Sequence, residues 1–376
     1  MVTIEKVDTT SKAEVRRFVD IPFKLYADCP QWVPPIRADI ETMLNRDKHP
    51  FYEHSDADSF IAVHGGRDVG RIAALENKSY NEYHDVRQAQ FYLFECVDDQ
   101  DVANAVFERV FDWARARGLD EVVGPKGFSL FDGYGIQVEG IEHRQMMTMM
   151  NYNYAYYPRL LEALGFEKEV DFISTYIHIP DFNVPERVHR IAERVKKRRN
   201  LSVHHFKSKA DLRRWKGRIG AAYNKTFVDN WEYYPISQNE IDFILDDLIL
   251  VANPRLIKIV VRGDDVVGFI FGFPDVSRGL QRANGRLLPF GIFHLLLDMQ
   301  RTDWISLNGA GMVPEYQGLG GNALMYSELT KTVKGDFGFV HAELTQVAES
   351  AVQMRRDLVN LGAEPYKNHR VYIRHL

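Results

Sequence analysis

Cysteine is scarce: Cys29 and Cys96 are the only two in 376 residues, too few for a disulfide framework. Neither CxxC nor HExxH occurs, so the common zinc sites are excluded and no metal is expected. GxSxG is missing, which removes the serine-hydrolase elbow, and GK[ST] is missing, which removes the P-loop. His204 and His205 are adjacent, so on a strand they face opposite sides and cannot share a ligand. No apolar run reaches the roughly 18–20 residues of a spanning helix. The opening MVTIEKVDTT lacks a basic stretch followed by an apolar core. A cytoplasmic chain with no membrane partner is the expectation.

Charge of one sign is also missing. Lys and Arg number 47 against 52 Asp and Glu, a net charge of -5, which is no nucleic-acid footprint. The balance is uneven, with 19 cations against 30 anions in residues 1–180 and 28 against 22 in the rest. The second half therefore suits a phosphate-bearing ligand better than the first. Hydrophobic residues at 45% and charged residues at 26% describe a globular chain. At about 150 residues per domain, 376 residues make two or three domains.

The chain repeats itself. VHGGRDVGRI from Val63 aligns without a gap on VRGDDVVGFI from Val261, and LGFE from Leu164 answers LGAE from Leu361 at nearly the same offset. Each first match reads as strand, Gly turn, strand, and each second match closes an apolar-periodic helix before a strand. Helices are expected over 11–26, 98–117, 157–164, 209–228, from Ser237 with Glu240 at capping-box spacing, 321–333 and 347–360. Between the halves, 185–199 reads as a linker helix whose final Lys196, Lys197, Arg198 and Arg199 complement its C-terminal dipole.

The sharpest motif is GMVPEYQGLGGNAL, Gly311 to Leu324, between an apolar strand and an amphipathic helix. Gly318, Gly320 and Gly321 allow a tight turn whose amides converge on a helix N-terminus, an anion site. A Rossmann reading fits poorly, because Val-Pro-Glu-Tyr-Gln separates strand from glycines. In the first half CVDDQDVAN stands in this place, and its carboxylates would repel a phosphate.

VPEYQGLGGNAL resembles the acyl-CoA pyrophosphate loop of the GNAT acyltransferase superfamily, [QR]-x-x-G-x-[GA], with Gln317 and Gly320 matching and Asn322 where Gly or Ala is usual. The order strand, loop, helix, strand, helix, LGA, strand is also similar to the GNAT core, and the whole resembles an uncharacterised bacterial tandem-GNAT family. The resemblance implies an α/β fold (α+β, mixed sheet) of two GNAT-like acyl-CoA N-acyltransferase domains in tandem. The boundaries are 1–180 for a degenerate domain, 181–200 for the linker helix and 201–376 for the acyl-CoA-binding domain. It implies acetyl-CoA or another acyl-CoA as co-substrate, held by Met312, Val313, Gln317, Gly318, Leu319, Gly320, Gly321 and Asn322, with a backbone N–H near Met312 and Val313 for the oxyanion.

Acyl transfer to an amine needs a base and a donor for the developing oxyanion. Glu343 in HAELTQ is the base candidate, with Glu315 and Glu349 as substitutes. Many GNAT enzymes carry a general-acid tyrosine near the end of the last helix; here that position is Leu358, which leaves Tyr366 and Tyr372 as acids or as strand packing residues. Trp231, Tyr233 and Tyr234 lie where GNAT folds contact the acceptor. Pro274 to Asp303, with Phe290 and Phe293, reads as a lid or covering helix beside the motif strand. MMTMMNYNYAYY, Met146 to Tyr157, reads as an adaptable pocket or as packing between the halves. The expected function is acyl-CoA-dependent transfer, of groups other than aminoacyl groups, to a small-molecule or peptide amine. The alternatives are a non-catalytic acyl-CoA sensor and a Fem-type aminoacyl transferase fed by charged tRNA, for which the basic 196–199 run would serve. The oligomeric state is open.

Overall fold

A computed structural model describes residues 1–147 and 150–376. In chain order the elements begin with β1 (Thr3–Lys6), α1 (Lys12–Leu25), α2 (Arg37–Met43), β2 (Asp56–His64), β3 (Arg67–Glu76), α3 (Lys78–His84), β4 (Gln88–Cys96), α4 (Gln100–Arg115), β5 (Glu121–Gly124) and β6 (Ile136–Glu139). Next come α5 (Tyr157–Ala163), β7 (Glu167–His178), α6 (Glu186–Arg199), β8 (Ser202–His204), α7 (Lys209–Arg214), α8 (Lys216–Thr226), α9 (Gln238–Val251), β9 (Ile257–Arg262) and β10 (Asp265–Pro274). The last are α10 (Ser277–Ala283), α11 (Gly291–Arg301), β11 (Trp304–Met312), α12 (Gly321–Asp336), β12 (His341–Ala348), α13 (Val352–Asn360) and β13 (Glu364–His375). They form two compact units, one of residues 1–173, 276–297 and 367–376, the other of residues 174–275 and 298–366.

The repeat read from the sequence appears as equivalent hairpins. Gly65 and Gly66 turn β2 into β3 at φ 58° and 74°, and Gly263 turns β9 into β10 at φ 61°. In the first unit the strand order is β1-β2-β3-β4-β5-β13, antiparallel apart from the β4–β5 pair. Helix α4 is capped by Asp99, whose carboxylate accepts from the Asp101 and Val102 amides. Its Val102, Val106, Phe107 and Val110 are fully buried with Phe91, Phe94 and Tyr157 in one aromatic core. Burying each such side chain contributes about 1.5–3 kcal/mol.

In the second unit the order is β12-β11-β10-β9-β8, with the Ser174–His178 end of β7 beside β12. Helix α9 starts on the capping box expected at Ser237 and Glu240. The helix expected over 209–228 breaks at Trp215 into α7 and α8.

Three expectations change. Helix α6 is not a solvated linker: its Ala192 and Val195 are buried in one cluster with Leu324, Met325 and Leu329 of α12, and Lys196 Nζ lies 3.0 Å from Glu328. Its apolar residues recur every three to four positions, a stripe obscured by the surrounding charges. The last ten residues lie in the first unit, where Tyr372 pairs with Gly124 across β13 and β5. Residues 276–297 also belong to that unit, held by hydrogen bonds from Gln281 Nε2 to the Pro30 and Trp32 carbonyls at 2.9 and 2.8 Å and from Arg37 N to Gly285 O at 3.0 Å. They thus group with the first unit and not with the unit of the motif strand.

The tyrosine-rich segment packs within the first unit, where it also meets residues from the second half of the sequence: Met147 N donates to Ser277 Oγ at 2.9 Å, and His369 Nε2 lies 3.1 Å from Asn151 O. Tyr26 stacks on Trp32 and meets Tyr152 and Tyr154, and Met146 and Met150 are buried. Thr148 and Met149 of that segment lie outside the described residues.

Candidate active site

Strands β11 and β12 run parallel for four register pairs, Trp304↔His341 to Leu307↔Leu344. Beyond Leu307, β11 continues to Met312, and the backbone kinks at Gly309, where φ is 68° and the register with β10 slips. The parallel pairing with β12 ends at Leu307. Alternation along the strands decides which side chains face which way. Ile305 and Ala342 are buried in the cluster beneath α12, so Ser306 and Glu343 face the opposite side.

Glu343 is fully buried there, in register with Ser306. The Tyr366 hydroxyl donates to Glu343 Oε2, so two of the residues expected at the site meet. Around them stand residues that the sequence reading missed. The Tyr176 ring lies 5.9 Å from Tyr366, and its hydroxyl is hydrogen-bonded to His341 Nδ1 at 2.7 Å. His341 stacks on Trp304 at 4.6 Å. Burial, with Glu364 and Asp181 adding to it, holds the Tyr176 hydroxyl above its ordinary range, so it stays protonated. Ser306 Oγ and Thr345 Oγ1 lie 3.1 Å apart on the same face. The signal available in the sequence was the i, i+2 spacing of His341, Glu343 and Thr345 in HAELT, which puts all three on one face of a strand.

The glycine loop has its own geometry. Gln317 Nε2 donates to Met312 O at 3.1 Å, which ties the loop to the end of β11. Gly318 has φ 66° and Gly320, the N-cap of α12, has φ 89°, both in the left-handed region that favours glycine. A Cβ on Gly320 would lie 2.7 Å from Val195 and 2.8 Å from Ile191 of α6, and one on Gly321 would lie 2.3 Å from the Met312 side chain. Gly318 meets nothing within 4 Å and is exposed with Gln317, while Leu319 and Asn322 are half-buried. Arg187 and Arg194, one turn to either side of Ile191, are both exposed.

Other expected residues stand elsewhere or do other work. The Val313 N–H donates to Val267 O at 3.0 Å within the sheet, so it is occupied and does not serve an oxyanion; Met312 is buried beside it. Tyr233 and Tyr234 are buried, their hydroxyls on Asn224 O at 2.7 Å and Glu240 Oε1 at 3.2 Å, whereas Trp231 is half-buried. Tyr372 lies in the first unit, its hydroxyl 3.4 Å from Glu162, and burial pushes it up to about 12. Phe290 is in the first unit and exposed. Leu358, at the general-acid position, is buried in the second unit's core. Glu315 is exposed and Glu349 half-buried.

No family model matches the chain. Two curated relatives span nearly all of it: protein YghO of Escherichia coli (strain K12), 24% identical over 96% of this chain and 93% of its own length, and a bacterial ceramide synthase of Caulobacter vibrioides (strain NA1000 / CB15N), 27% identical over 97% and 96%. Among solved structures, a tandem GNAT protein from the clavulanic acid biosynthesis pathway covers 100% of this chain and 98% of its own, with TM-score 0.56 at 10% identity. The fold is that of the GNAT acyltransferases, present as a tandem in one chain. Among the described residues no helix is long and apolar enough to cross a membrane, and no group of three His, Cys, Asp or Glu is placed to hold a metal ion.

Proposed function

We propose that the second unit transfers an acyl group from acyl-CoA, acetyl-CoA or a longer one, to an amine. The observation that carries this reading is Glu343, buried on the face of β12 opposite α12, with the Tyr366 hydroxyl donating to it. The glycine loop at the start of α12 fits a pyrophosphate, since Gly318 stands open and Arg187 and Arg194 add charge. Bound acyl-CoA supplies a thioester carbon as electrophile. Glu343 takes the proton of the attacking amine as the C–N bond forms and the C–S bond breaks, its electron pair leaving on sulfur as the CoA thiolate. Tyr366 orients the carboxylate. Because Val313 is occupied, the oxyanion donor is assigned to the backbone at the Gly309 bulge, where β11 is no longer paired with β12.

The acceptor class has one further support. A relative aligned over nearly the whole chain bears the name ceramide synthase, and a ceramide is an amide, the bond this chemistry makes. A long-chain amino alcohol is therefore the first acceptor to try, ahead of small polar amines and peptides. The deciding experiment is product detection by mass spectrometry after incubation with acyl-CoA donors of increasing length and these acceptors. Glu343→Gln should keep acyl-CoA affinity within a few fold and lower turnover by roughly 10²–10⁴. Tight acyl-CoA binding with no amide formed from any amine would leave a sensor instead.

A further inference from the structure

Residues 276–297 hold no acidic residue and three arginines, Arg278, Arg282 and Arg286, all exposed. Arg278 and Arg282 sit one turn apart on α10 and Arg286 in the loop that follows. After them the chain turns apolar. Leu288 is 82% exposed, Phe290 71% and Phe293 62%, and Leu296 and Leu297 are exposed as well. Phe293, Leu296 and Leu297 recur at helical spacing and so share one side of α11, while Gly291 and Leu295 are buried. The larger apolar side chains of this segment thus stand in water.

We propose that this surface docks the chain on a lipid bilayer carrying anionic headgroups. Exposed apolar patches of more than a few hundred Å² mark interaction surfaces in soluble folds. A second copy of the chain is a poorer occupant. Two such patches face to face would bring the arginines of both copies together, and this handful of exposed apolar side chains falls short of the roughly 20–30 residues a side of a stable interface. A bilayer meets both features at once. Leucine and phenylalanine side chains enter the boundary between headgroups and acyl chains, and the arginines beside them meet lipid phosphates. Surface docking needs no spanning helix, so it departs from the sequence expectation of no membrane partner without conflicting with the absence of such a helix. It stands on the chemistry of this surface alone and holds whether or not the second unit transfers an acyl group.

Co-sedimentation with vesicles tests it. The full chain should pellet with vesicles of phosphatidylcholine containing about a third phosphatidylglycerol and far less with phosphatidylcholine alone, and added salt should release it. Phe290→Ser with Phe293→Ser should weaken binding at least tenfold without moving the melting temperature. Arg278→Gln with Arg286→Gln should weaken it about fivefold per arginine, the equivalent of about 1 kcal/mol each. In Phe290→Trp, vesicles should shift the emission to the blue beyond any shift of the unmodified chain. Equal and negligible pelleting with both vesicle types overturns the proposal. So does a stable dimer that the Phe290→Ser and Phe293→Ser pair dissolves, since the patch would then be a contact between copies.

Discussion

The two motif strands, β4 in the first unit and β11 in the second, start alike and end differently. Each pairs in parallel with the next strand for a few residues and then carries a left-handed residue, Leu93 at φ 51° or Gly309 at φ 68°. In the first unit the gap beyond that pairing is closed. Lys126 N donates to Phe91 O at 2.9 Å, and Phe94 packs against Phe107 and Tyr157 at 4.8 and 5.4 Å. The Cys96 N–H at the strand end donates to the Tyr157 hydroxyl at 3.0 Å, and the helix that follows is capped by its own Asp99. In the second unit β11 runs past its last pair with β12 into a glycine loop, and a carboxylate stands on the strand beside it. The same strand end is thus packed as core in one copy, and in the other it is where the proposed function puts the acyl-CoA.

The strongest way to test this contrast is to reopen the closed copy. Phe94→Ala should destabilise the first unit by roughly 3–5 kcal/mol, the usual range for a buried aromatic, and should create no acyl-CoA site. A second binding event in calorimetry of this variant would show that aromatics alone close the first copy. Next in size, the unmodified chain should bind one CoA, and Gly320→Asp should weaken it by about 10²–10³ because it adds a Cβ against Val195 and Ile191 and a charge beside the phosphates. Two equal sites would break the comparison outright.

A smaller effect sharpens the role of α6. Arg187→Gln with Arg194→Gln should weaken CoA binding several fold, more at low salt than at high, and should affect dephospho-CoA and CoA alike if the pyrophosphate is what they meet. The smallest expected effect concerns pH in the first unit. Burial lowers His369 to about 4, so its contribution to stability is present above its ordinary range and is lost as pH falls toward 4. Burial raises Asp132 to about 6, so its contribution is present at low pH and is lost as pH rises from about 4 to 6. The two oppose each other over that window, so their slopes partly cancel in the unmodified chain. His369→Gln removes the first, so its melting temperature should fall as pH rises through the same window; a level profile for the variant would remove Asp132 from the account.

The local elements were legible because local chemistry makes them. Alternation, glycine turns and caps such as Ser237 with Glu240 act within a few residues, and so the hairpins, α4 and α9 fall where the pattern puts them. The glycine loop and the carboxylate of HAELT were legible for the same reason. Pairing between distant strands was not. That the last ten residues complete the first unit through Tyr372 and Gly124 is a matter of register between segments some 250 residues apart, which no periodicity records. The partners of Glu343 from outside its own strand were hidden likewise, since Tyr366 and Tyr176 come from two other strands brought beside β12 only by the sheet. The exposure of Phe290 and Phe293 is the opposite case, where an apolar run promised burial and the tertiary structure withheld it, because hydrophobicity states that a side chain seeks cover but not whether the fold supplies it. The sequence by itself determined the repeat, the turns and which copy carries the glycine loop; the tertiary structure decided which strands close each unit and which side chains meet around Glu343, because both depend on contacts far apart along the chain.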